Sequence, residues 1–138
     1  MIQRQQTLWL LLSAVCSVLT LLYTFYSGNE MVSTMSTYVE LDSASNFPLL
    51  ILTIISILLS VSAIFLYKTR KTQLKVVIAG IVLAVLILVV YFMEVKKFET
   101  GNFALTSVYA FLIPIGYIMA ARGIWKDEKL VKSLDKLR

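Results

Sequence analysis

The 138-residue sequence contains no histidine and a single cysteine, Cys16. One thiol closes no disulfide within a chain, and without imidazole there is no His/Cys set to hold a zinc ion. The missing histidine also removes the commonest general base, and no serine or lysine stands at a spacing that supplies a nucleophile–base pair. Prolines number two and glycines five, too few for a collagen-like or turn-rich repetitive chain. Charge is the most telling shortage. Only 15% of residues are charged and 59% are hydrophobic, whereas soluble domains are roughly 45–50% apolar and about 25% charged. The expectation is a chain that lives in lipid, is not an enzyme, and carries no cofactor and no metal.

Four apolar runs can be marked, at 7–26, 47–67, 74–93 and 103–121, and apart from Lys75 at the edge of the third none carries a charge. About 20 residues of helix span roughly 30 Å, the thickness of a hydrocarbon core. The first run is longer than the roughly 7–15 apolar residues of a signal peptide and has no A-x-A cleavage site after it, so it is expected to be retained. The predicted fold is all-α: a polytopic membrane protein with a four-helix transmembrane domain over 1–121, followed by a short cytoplasmic amphipathic helix over 122–138. Pumps and ion-coupled transporters place ionisable residues in mid-membrane, and no charge stands at the centre of any run here.

Cationic residues sort by side. Arg4 precedes the first run; Lys68, Arg70, Lys71 and Lys75 lie in "KTRKTQLK"; and six more follow the fourth run, so 11 of 13 gather at one end. The positive-inside rule then predicts that both termini are cytoplasmic. The loop 27–46 has only Glu30, Glu40 and Asp42 as charges. Topology therefore accounts for the net charge of +5 and the pI of about 9.4, and no nucleic-acid partner is implied. Trp9, Tyr23, Tyr26, Tyr67, Tyr91 and Trp125 fall where interfacial aromatics are expected.

Local signals fill in the elements. Asn46 is expected to cap the second helix ahead of Pro48, and Asn102 the fourth. Pro114 should free the carbonyl of Ala110 and kink that helix. Small residues recur at four-residue spacing as Ser13/Ser17, Ser56/Ser60, Gly80/Ala84 and Gly116/Ala120, the pattern that lets helices approach closely in lipid. The hydroxyls of Ser17, Thr20, Thr24, Thr53, Ser56 and Ser60 could line a solute path, but helix packing is the favoured reading. Glu30, Glu40, Asp42, Glu94 and Glu99 could gather a divalent cation, although an acid-rich outer loop is what topology alone leaves. In that loop Val32, Met35, Tyr38 and Leu41 recur every three residues, which fits a short surface helix as well as an irregular loop.

The closing stretch "WKDEKLVKSLDKLR" is amphipathic. At 100° per residue Leu130, Val131, Leu134 and Leu137 share one face, with Lys129, Lys132 and Lys136 on the other. Glu128 and Lys132 are spaced for an i,i+4 pair. Something must cover the apolar stripe: the inner leaflet, the "KTRKTQLK" link, or another protein.

The opening "MIQRQQT" and closing "DEKLVKSLDKLR", joined by four spans, resemble a family of small four-helix membrane proteins from Bacteroidetes known as a domain of unknown function. The resemblance runs over the whole chain and implies a bacterial inner membrane location, with no activity. Both signature ends fall on the predicted cytoplasmic side, so Gln3, Arg4 and Gln6 are expected to face Asp127, Glu128 and Asp135. Together with Leu130, Val131, Leu134 and Leu137 they form the candidate partner-binding surface. The expected role is an accessory or scaffolding subunit of a larger membrane complex, in contact with membrane lipids and with a membrane-protein partner or a second copy. The alternative is a small oligomeric transporter or lipid-binding protein.

Overall fold

Long runs of Leu, Ile and Val can leave water only if their backbone N–H and C=O groups pair with one another, and helix does this within a single run. The computed structural model describes the backbone at residues 2–32 and 35–136, and side chains at 5–30 and 35–136. Four helices result: α1 (Ile2–Leu22), α2 (Phe47–Phe65), α3 (Arg70–Val95) and α4 (Val108–Lys136). Each is long and apolar enough to cross a membrane. They form an antiparallel ring in which α1 packs on α2 and α4, and α3 on the same two.

The small residues lie on the inner faces: Ser13, Ser17, Ser56, Ser60, Gly80, Ala84, Gly116 and Ala120 are all buried. A Cβ on Gly116 would collide with Ser13 Oγ and stand 3.0 Å from the Trp9 carbonyl, so α1 and α4 meet nearly backbone to backbone. The Ser13 hydroxyl donates to the Ile113 carbonyl at 3.0 Å, one residue before Pro114, which lies inside α4. At the centre stands Tyr117. Its ring fills the space left by Gly80 on α3, and its hydroxyl crosses to α2, donating to the Ser56 carbonyl at 2.7 Å and lying 2.6 Å from Ser60 Oγ. Ser56 Oγ in turn lies 3.3 Å from Ser17 Oγ on α1. The hydroxyls of Thr53, Ser17 and Thr20 bond to carbonyls of their own helices.

An all-α expectation is corrected at one end. Residues of the 27–46 loop form neither a surface helix nor an irregular loop but a hairpin, β1 (Tyr26–Val32) and β2 (Met35–Leu41). A third strand, β3 (Phe98–Phe103), adds to it in the order β2-β1-β3, all antiparallel. Gly28 stands opposite Gly101, where a Cβ on Gly28 would run into the backbone of Thr100 and Gly101. Beneath the sheet, Phe25 stacks on Tyr91 with ring centroids 4.1 Å apart, packed with Leu41, Leu49, Ile87 and Ala110. Tyr91 also hydrogen-bonds Ser43. Tyr26 and Tyr91 are therefore core residues.

Three further expectations change. Asn46 occupies the cap position of α2 but makes no side-chain cap bond, while Pro48 does sit in the first turn. Asn102 lies in β3, and α4 begins after a 3-10 turn at Leu105–Ser107. The tail is not a separate helix: α4 runs unbroken through Gly123 to Lys136. Gly123 serves close packing instead of a bend, since a Cβ there would lie 2.8 Å from Gln6 Cγ. Nor do the five acids gather. Glu40 accepts from Thr24, Asp42 closes a turn with Ser45, Glu94 pairs with Lys97, and no metal-sized acidic cluster exists among the described residues.

Tyr117→Phe should leave the helix content unchanged and lower stability by about 1–2 kcal/mol, the range for a lost buried hydrogen-bonding group. Gly80→Val should cost more, because its new carbons overlap the tyrosine ring. Denaturation in detergent followed by circular dichroism reads both, and equal stability of all three proteins would remove Tyr117 from its central role.

Candidate functional site

The end opposite the sheet collects the first turns of α1, the α2–α3 link and the charged part of α4. Two fixed points set the register of α1 against α4: Ser13 lies beside Gly116, and Gln6 beside Gly123. Continued at 1.5 Å per residue, this places Ile2 at about the level of Asp127. Leu130 and Leu134 lie past that level and stand 50% and 67% exposed.

The acids of the tail turn toward the link. Asp127 approaches Arg70 at 3.4 Å, and Glu128 pairs with Lys132 at 2.8 Å on the same helix. Asp135 and Val131 line a groove of about 550 Å³ together with Lys68, Arg70 and Lys71 of the link. The hydrogen bond from Lys132 holds the Glu128 carboxyl below its ordinary range. At the sheet end, the corresponding bond to Glu94 pushes Lys97 above the usual lysine value. Gln73, buried at the head of α3, donates to the Ala63 carbonyl at 2.9 Å and ties the link to the end of α2.

On the α1 side, Gln6 is only 3% exposed and packs on Gly123. It does not reach Asp127, which has taken Arg70 instead. The side chains of Gln3, Arg4 and Leu137 lie outside the described residues. The tail therefore meets the link through its acids and α1 through Gly123, with Leu130 and Leu134 further along α4 and exposed. Sequence reasoning missed Arg70 and Gly123 as organisers of this end, and Tyr117 at the core. For Tyr117 the one signal was its place next to Gly116 of the small-residue stripe.

Both ends of the chain fall within one family match. Residues 2–137 match the model of a domain of unknown function, DUF4293. The chain belongs to that family. No curated protein and no solved structure shows a significant match. In this DUF4293 chain the described residues at the tail end hold the ion pairs Arg70–Asp127 and Glu128–Lys132 beside the exposed Leu130 and Leu134.

Arg70→Gln should change global stability by less than about 1 kcal/mol, because half-exposed ion pairs contribute little. It should raise amide exchange over 124–136, as read by hydrogen–deuterium exchange. Unchanged exchange there would mean that the Arg70–Asp127 pair does not hold the tail.

Proposed function

We propose that the chain is an integral protein of a bacterial inner membrane, of the Bacteroidetes type, with both termini in the cytoplasm and the three-stranded sheet outside. The apolar outward faces of the helices support this, as do the cations gathered at the tail end. Its role on this reading is that of a non-enzymatic accessory or scaffolding subunit that docks on a larger membrane complex through its cytoplasmic end. One observation carries the docking reading. α4 continues as an unbroken helix to Lys136, and it presents Leu130 and Leu134 at least half exposed.

Charge defines the partner. Asp127 and Glu128 are engaged within the chain, whereas Lys129 and Lys136 have no carboxylate partner among the described residues. An apolar stripe beside free lysines suits an apolar groove with an acidic rim on a neighbouring membrane protein. The reading as a lipid-binding protein keeps one observation of its own, an apolar trough along α1 and α4 taken up below.

Two measurements test this. With Cys16 replaced by alanine, cysteines introduced at Ser36 and at Ser133 should react with an impermeant reagent from opposite sides of intact cells; reaction from one side would overturn the topology. Leu130→Glu/Leu134→Glu should remain inserted but lose a partner that co-purifies stoichiometrically with the unaltered chain in mild detergent. If both forms emerge alone, the subunit reading fails and the tail is a membrane-surface anchor.

A further inference from the structure

Two glutamines are buried at the tail end, and only one is satisfied. Gln73 has the Ala63 carbonyl as its acceptor. Gln6 Nε2 is enclosed and has no hydrogen-bond partner among the described residues. A buried N–H group without an acceptor is costly, and such groups are rare unless something absent from the bare chain completes them.

Gln6 forms part of a cleft of about 310 Å³ between α1 and α4, whose rim carries Arg122 and Lys126. No acidic side chain lines it, and neither cation pairs with a carboxylate among the described residues. Gln6, Arg122 and Lys126 thus line one cleft that has no acidic side chain among its lining residues. Gly123 keeps the wall between them open, since a side chain there would meet Gln6. The cleft shares Gln5, Trp9 and Met119 with a second, apolar groove of about 470 Å³ that continues along α1 past Leu8 to Leu12. Polar donors at one end, an indole at the junction and a leucine-lined trough leading toward the middle of the bundle follow the order of groups along a phospholipid.

We propose that this α1–α4 cleft binds one anionic phospholipid, its phosphate held by Arg122, Lys126 and Gln6 and an acyl chain laid along Leu8, Trp9 and Leu12. The inference rests on the membrane reading above but not on the docking of the tail. It differs from general attraction to a charged surface in having a buried donor and a shaped trough.

The test uses the full chain purified in detergent, after alkaline carbonate washing has shown whether it is integral; release by carbonate would sink the membrane reading and, with it, this one. Native mass spectrometry with added phosphatidylglycerol or phosphatidylcholine then reads binding. Phosphatidylglycerol should bind at least tenfold more tightly. Arg122→Gln/Lys126→Gln changes only exposed side chains, so the fold should persist by circular dichroism, and the preference should disappear. Lys129→Gln/Lys136→Gln removes the same charge outside the cleft and should retain the preference. Equal binding of the two lipids, an equal loss in both double variants, or displacement by free glycerol phosphate at the concentration of the lipid would each overturn the proposal.

Discussion

The hydroxyl of Tyr117 crosses from one helix to the one diagonally opposite, and the rest of the bundle is arranged so that it can. Helices apolar on all sides slide past one another at little cost in dispersion, because leucine meets leucine at many offsets. A buried hydroxyl does not tolerate offsets. It needs the Ser56 carbonyl and Ser60 Oγ on α2, while its ring needs the absence of a side chain at Gly80 on α3. Ser56 Oγ carries the chain of contacts to Ser17 on α1. One tyrosine thereby sets the depth of all four helices at a single level.

That level determines what happens at both ends. Toward the sheet, the two connections α1–α2 and α3–α4 arrive at the same height and pair as strands. The Ala104 N–H reaches the Phe25 carbonyl, and the Ser43 N–H the Thr20 carbonyl, so this end is closed by backbone bonds. Toward the tail, the same register sets Gly123 against Gln6 and lets α4 run on past α1. One end is tied off and the other is left with uncovered leucines and free cations, which is why the binding proposals fall there.

Ion pairing sharpens the contrast. As a string of letters the tail mixes lysines with Asp127, Glu128 and Asp135, a composition ill suited to anionic lipid. In three dimensions the acids face the link or their own helix, so the outward charge is more cationic than the composition suggests. A lipid phosphate beside Lys126 and a docking protein beside Leu130 and Leu134 would sit at successive levels of one face of α4, since Lys126, Leu130 and Leu134 are spaced four residues apart.

The four apolar helices and their small-residue faces were legible in the letters, because each depends on hydropathy and on neighbours three or four positions away, whereas α3 at 26 residues and α4 at 29 run well past the apolar stretches that announced them. Pro48 in the first turn of α2 was legible for the same local reason. The strands were not. Gly28 pairs with Gly101 across the whole of α2 and α3, and "FETGNF" has no apolar alternation to announce it. The continuity of α4 through Gly123 was misread because glycine breaks a helix by intrinsic preference, whereas here it answers to the side chain of Gln6 on another helix. The unsatisfied amide of Gln6, the pairing of Asp127 with Arg70 and the position of Tyr117 depend on which faces meet across the ring. Local periodicity sets a helix's faces, but only packing against the other three decides what each face touches.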